Sequence, residues 1–314
     1  MNKHIAKIRT VLVTGAGGFL GSYLIEALIQ ENLFQIMAFD LDKATLTKRF
    51  DQAEQLGFYD IADFENKNIP FDQVDIVIHC AFSRSFEGFA LAKSLEFTKQ
   101  ILGTAAEYEI SSFINISSRS VYGQNPNTPW SEVTPVNPDS LYAMAKFSSE
   151  LLVQTLAKAE SNFFYTNLRL AGLVGPELDV RIVNRFVQQA LKGETIKIKG
   201  GNQQFAYLDV RDAASGIAAL LQKKSKTWKS VFNLGYYRSY SIIEIAEVVA
   251  NVARKFNYPE VKINIEKTDE MLYADIDSSL FYTNTNWKPK YDMEAIVASI
   301  FEKQLKPKKY KCKQ

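Results

Sequence analysis

The 314-residue chain carries 37 Lys and Arg against 35 Asp and Glu, a formal net charge of +2, and 46% hydrophobic residues. That length buries a sizeable core, in one large α/β domain or a domain with an appended lobe. A charge balance this even excludes the dominant basic face of a nucleic-acid binder and points to a small-molecule partner. Cys80 lies inside an apolar run and Cys312 in a lysine-rich tail, and His4 and His79 are the only histidines, so no disulfide framework and no metal site is expected. The N-terminal MNKHIAKIRT precedes an apolar stretch too short for a signal peptide or a membrane span. The expected location is the cytoplasm, without a membrane partner.

In chain order, the first half alternates strand-like runs with helical patterns. RTVLVTG precedes FLGSYLIEALIQE, FQIMAFD a polar helical stretch, and VDIVIHC a helix through about Tyr108. SFINISS, SLYAMAKFSSELLVQTLAKA and FFYTNLRLA follow. Apolar strands between helices imply an α/β fold, a Rossmann-type doubly wound parallel sheet. Beyond Gly172 the rhythm changes to a loop, an amphipathic helix and a short strand ending in Gly200 and Gly201, the pattern of a smaller C-terminal lobe. FAYLDVRDAASGIAALL reads as strand then helix returning to the first lobe, with Asp212 near the helix start where the dipole favours an acid.

The first strand runs into Gly15, Gly18 and Gly21 and then directly into a helix opening at Phe19. Glycines there permit a tight turn and close backbone approach, and the helix N-terminus offers free N–H groups to a pyrophosphate. Nineteen residues after Gly21 the second strand ends in Asp40. A carboxylate there accepts from the adenosine ribose and repels a 2′-phosphate, which favours NAD over NADP; a helix cap is the plainer reading, and nearby Lys43 works against the preference. Asp60 and Ile61, after a third short strand, are expected to flank the adenine.

Tyr142 and Lys146 stand one turn apart on one face of a helix that Pro138 and Ser140 can start. The lysine charge is expected to lower the phenol pKa from about 10 toward working pH, making the tyrosine a general base for a hydroxyl proton. The same spacing at Tyr258 and Lys262 encloses Pro259 and has no glycine turn or serine strand to serve, so it is read as coincidence.

TGAGGFLG at 14–21, IHCA at 78–81, SSRSVYG at 117–123, YAMAK at 142–146, LRLAGLVGP at 168–176 and ADIDSSLFYTNTNWKPKYDMEAI at 274–296 together resemble the extended short-chain dehydrogenase/reductase family, the NAD-dependent epimerase/dehydratase group. The resemblance covers nearly the whole chain. It implies NAD held by Gly15, Gly18, Phe19, Gly21, Asp40, Asp60, Ile61, Ala81, Tyr142 and Lys146, and a catalytic set of Ser118, Tyr142 and Lys146. Relatives commonly pair as homodimers through helices of the first lobe.

The chain departs from the family in three places. Where 4,6-dehydratases carry an Asp and Glu proton shuttle it has Arg119 and Ser120, which argues against dehydration. Gly172 stands in place of an asparagine, and Phe205 in place of a diphosphate-binding arginine. Arg84, Arg119, Arg181, Arg185 and Lys197 are candidates to meet phosphates or a carboxylate. The expected organisation is an NAD-binding domain over 1–171 with a returning segment about 205–235, and a substrate-binding lobe over 172–204 and 236–314. The expected function is NAD-dependent epimerisation of a nucleotide-activated sugar. A net ketoreductase on a nucleotide-linked keto sugar or other small carbonyl, and a catalytically silent nucleotide-sensing module, are the alternatives.

Overall fold

The computed structural model describes residues 8–50, 53–178, 181–201, 203–266, 268 and 272–305. His4 and the basic tail with Cys312 lie outside the described residues. The first half alternates strand and helix: β1 (Arg9–Thr14), α1 (Phe19–Glu31), β2 (Phe34–Phe39), α2 (Lys43–Phe50), β3 (Leu56–Tyr59), α3 (Ile61–Glu65), β4 (Ile76–His79), α4 (Gly88–Glu107), β5 (Ser112–Ser118), α5 (Leu141–Ala159) and β6 (Phe164–Leu170). Val11, Leu12, Val13, Ile76, Val77, Ile78, Phe113 and Ile114 are all buried, because a sheet covered by helices on both faces leaves no polar side along its strands.

The second half holds β7 (Gly172–Val174), α6 (Ile182–Leu191), β8 (Ile196–Lys199), β9 (Gln204–Phe205), β10 (Tyr207–Asp209), α7 (Val210–Leu221), β11 (Val231–Leu234), β12 (Tyr240–Ser241), α8 (Ile242–Lys255), β13 (Ile263–Glu266), α9 (Ser279–Thr285) and α10 (Met293–Leu305). β11 pairs parallel with β6 and completes a seven-stranded sheet in the order β11-β6-β5-β4-β1-β2-β3. The order reverses beside β1, the crevice where open α/β sheets receive a ligand. α7 packs against α1, whose Leu24, Ile25 and Leu28 are fully buried, each contributing on the order of 2 kcal/mol.

A separate apolar cluster joins Phe186 and Val187 of α6, Ile245 and Val249 of α8, and Ile296, Val297 and Phe301 of α10. Tyr258, the second tyrosine four residues before a lysine, packs on Phe301 at 5.8 Å inside this cluster. Asp212 stands in the first turn of α7, as its dipole predicts, but Asp209 caps the helix. Asp212 instead accepts the amides of Lys290 at 3.0 Å and Tyr291 at 2.9 Å, pinning the segment before α10.

Candidate active site

The turn after β1 is shaped by contacts that exclude side chains. Gly15 has φ +68°, and a Cβ there would lie 2.7 Å from the Ala81 nitrogen. A Cβ on Gly21 would overlap the Gly15 carbonyl oxygen. Only glycine allows β1, the end of β4 and α1 to converge so closely. Gly18 is the N-cap of α1 and supplies no side-chain hydrogen bond, so the first N–H groups of the helix stay available to an anion. Phe19 is half-buried and stacks edge-on with Tyr23 at 5.9 Å.

Beside the turn lies a largely apolar cleft lined by Gly15, Phe39, Asp40, Leu41, Ile61, Ala81 and Phe97. Asp40 accepts the Gly17 and Leu41 amides, each at 2.7 Å, and a carboxylate has lone pairs left for two further donors. Asp60 closes a capping box at the start of α3 and is not a wall of the cleft. Lys43 bonds Asp63 at 2.8 Å and approaches Asp60 at 3.9 Å, so its ammonium is engaged there and does not counter the charge of Asp40. A glycine cradle, an uncapped helix start and an apolar slot ending in a carboxylate fit a dinucleotide with free ribose hydroxyls. Leu41 and Phe97 line the slot without any motif to flag them; Phe97 arrives from α4, far along the chain.

The catalytic candidates meet where β5 ends. Ser140 caps α5 by accepting the Ala143 amide at 3.2 Å, and this sets Tyr142 and Lys146 on the face toward β5. The Ser118 oxygen accepts from both the amide and the hydroxyl of Ser120, at 3.2 and 2.9 Å. With both lone pairs occupied, Ser118 can only donate. Its hydroxyl stands close enough to the Tyr142 phenol to pull the phenol's pKa down.

Lys146 is buried and does not act on the tyrosine as its spacing predicts. Its Nζ donates to the Ile116 carbonyl at 2.7 Å and lies 3.8 Å from the Phe82 ring centroid. Burial brings this ammonium down to about 7, against Cys80 and Glu150, which raise it. The Tyr142 phenol is raised by burial, and the groups that pull it back are Arg181, Arg84 and the Ser118 hydroxyl. The cations on the phenol therefore come from the loop after β4 and the start of α6, not from the next turn of α5. Phe82, edge-on to Tyr142 at 6.4 Å, escaped sequence reasoning because a lone aromatic in a loop carries no periodic signal.

The two substitutions of family residues prove to be neighbours. Gly172 of β7 is the register partner of Tyr207 of β10, and a Cβ at Gly172 would come within 2.9 Å of the Tyr207 ring. Phe205 stacks on that ring at 5.5 Å and 5°. The missing side chain at Gly172 thus leaves room for a stacked aromatic pair. Arg181 and Arg119 both act on the Tyr207 phenol, and burial lowers Arg119 to about 10. Arg185 and Lys197 are exposed, on α6 and β8, and among the described residues nothing joins them to this group. Glu132, the nearest acid in sequence to stand in for a proton shuttle, accepts the Asn233 amide at 2.8 Å and belongs to the cluster around Tyr122, Trp130 and Asn233.

Comparison with known proteins extends these observations. A family model described as NAD dependent epimerase/dehydratase matches residues 11–235. The chain is 25% identical over 297 residues to a putative UDP-glucose 4-epimerase of Methanocaldococcus jannaschii, covering 90% of this chain and 94% of that one. It is 24% identical to human dTDP-D-glucose 4,6-dehydratase, covering 90% and 86%. Among solved structures, a UDP-glucuronic acid 4-epimerase mutant of Bacillus cereus, in complex with NAD and a fluorinated UDP-sugar acid, superposes with a TM-score of 0.80 at 23% identity, over 95% of this chain and 100% of that one.

Proposed function

We propose, from the premise that the chain belongs to the NAD dependent epimerase/dehydratase family, that this NAD-dependent enzyme epimerises a nucleotide-activated sugar at one carbinol carbon. The observation that carries the reading is Ser118, fixed as a donor beside the Tyr142 phenol at the end of a sheet strand, with arginine where a dehydratase has its shuttling acid. NAD, when bound, supplies a reversible hydride acceptor. The glycine turn and the start of α1 would hold its pyrophosphate and Asp40 its adenosine ribose. One Lys146 N–H is spent on Ile116, and the two remaining donors are assigned to the nicotinamide ribose.

Tyr142 takes the proton of the substrate hydroxyl as the adjacent carbon is oxidised to a ketone. Ser118 donates to that oxygen throughout. The keto sugar then presents its other face, Tyr142 returns the proton, and the epimer leaves. Arg119 cannot relay protons between carbons, because a guanidinium stays protonated at working pH. Glu132 accepts the Asn233 backbone amide and stands in the cluster around Tyr122 and Trp130. The same reading carries a homodimer: Leu141, Met144 and Leu151 form an exposed apolar stripe on α5, and α4, which packs against α5, exposes Phe89.

The test is proton NMR of NAD-loaded protein with a panel of nucleotide hexoses. Growth of the epimer signal, with no change in absorbance near 340 nm, is expected. Steady production of reduced cofactor would favour the net oxidoreductase, and a new C6 methyl doublet would show dehydration and overturn the role given to Arg119.

A further inference from the structure

Three guanidinium groups stand near the Ser118–Tyr142 pair, and among the described residues no acid is paired with any of them. Arg119 opens the 3-10 turn that Ser118 caps, so it adjoins the catalytic hydroxyl in the chain. Arg181 is anchored by its Nε, which donates to the Leu173 carbonyl at 3.2 Å, one residue from the contact between Gly172 and Tyr207. Arg84 and Arg181 act on Tyr142 and on each other. Arg49, Arg169, Arg211 and Arg238 all have carboxylate partners; among the described residues Arg84, Arg119 and Arg181 have none, and neither do Arg185 and Arg254, which are exposed and lie on α6 and α8. Asp275 acts on Arg119 only at a distance, its own oxygens taken by Ser239 and the Ile276 amide.

Mutually repelling cations beside a catalytic phenol favour the entry of an anion. In a nucleotide sugar that anion is either the diphosphate or a carboxylate on the ring. The reacting oxygen must lie between Ser118 and Tyr142, so groups flanking that pair face the sugar ring rather than the distant nucleotide end. We infer that the substrate is a nucleotide-linked uronic acid whose carboxylate is held by Arg119 and Arg181, with Arg84 at the mouth. The planar forks of two arginines suit a carboxylate, and the ring packs beside the Phe205–Tyr207 stack.

The inference rests on the nucleotide-sugar reading, and its test separates the two. NAD-loaded Tyr142→Phe protein is titrated calorimetrically with glucuronate and glucose linked to UDP and to dTDP, pairs that differ only at C6. We expect the uronate of one nucleotide to bind at least about tenfold tighter than its hexose, and Arg119→Gln to remove that preference while hexose affinity holds within about twofold. The exposed Arg84→Gln gives a smaller loss of the same kind without disturbing buried contacts. Equal affinity for uronate and hexose, or equal weakening of both by Arg119→Gln and Arg181→Gln, overturns the inference and assigns the cluster to the diphosphate. If no nucleotide sugar binds while NAD does, the nucleotide-sugar reading falls and the inference with it.

Discussion

Two buried polar clusters lie one helical turn apart on α5 and are built on opposite principles. Around Glu150 every group is matched: Arg169 meets it with two hydrogen bonds of 2.9 and 2.7 Å, Ser117 donates to the same carboxylate, and the guanidinium carbon stands 4.8 Å from the Tyr122 ring centroid. Burial opposes the Arg169 charge, but the bonds to Glu150 outweigh it and hold the group above its ordinary value. Around Lys146 the ammonium has a carbonyl and a ring face but no carboxylate bond, and its pKa falls. The first cluster holds β5, β6 and α5 together. The second keeps donors and charges unspent, which costs stability and leaves chemistry available.

The largest expected effect is on the matched cluster. Glu150→Leu strands the buried Arg169 and should cost about 3–5 kcal/mol in urea unfolding; a loss under about 1 kcal/mol would show that the pair anchors nothing. Tyr142→Phe should do the reverse, lowering turnover by roughly a hundredfold or more while urea unfolding and NAD affinity stay near wild type. Near-full activity would remove the tyrosine from its assigned role, and Tyr258→Phe is the matched control.

Titration divides the clusters next. The folded Lys146 pKa of about 7 lies below its unfolded value near 10.4, so the unfolded chain binds the extra proton between those values. Its stability contribution is therefore complete only above about 10.4 and is lost as pH falls toward 7, with a slope up to about 1.4 kcal/mol per pH unit. Lys146→Met should flatten this slope and abolish turnover; an unchanged slope would mean that the ammonium is not desolvated. His79, buried between Thr14 at 2.8 Å and Thr98 at 2.9 Å, is pushed down by burial to about 3. Its contribution is present above about 6.5 and lost as pH falls toward 3. The smallest effect belongs to the cap shared by both clusters: Ser140→Ala should cost about 1 kcal/mol in thermal or urea unfolding, and no measurable loss would exclude the cap as a determinant of the placement of α5.

The sheet was legible because a parallel strand buried on both faces reads as an apolar run, and RTVLVT and SFINISS stand as strands in the structure. The glycine turn was legible because each contact that demands glycine arises within or beside one strand-turn-helix unit. The serine, tyrosine and lysine were legible through a spacing and a family resemblance, yet YPEVK has the same spacing and ends in the second apolar cluster. What distinguishes the two is the neighbouring strand, which local sequence does not contain. The role of Gly172 was illegible for the same reason: the residue it accommodates, Tyr207, pairs with it only through β10.

By itself the sequence determined the alternation of strands and helices, the glycine cradle and the placing of Tyr142 and Lys146 on one helical face, since these depend on backbone sterics and periodicity within a few turns. Tertiary structure decided which charges face the phenol. Arg84 and Arg181 come from segments far apart in the chain, the loop after β4 and the start of α6, and both act on Tyr142. Lys146, adjacent along the helix, is drawn instead to the Ile116 carbonyl. Coulomb interaction and desolvation depend on distance and burial in space, and helix periodicity specifies neither beyond the helix itself.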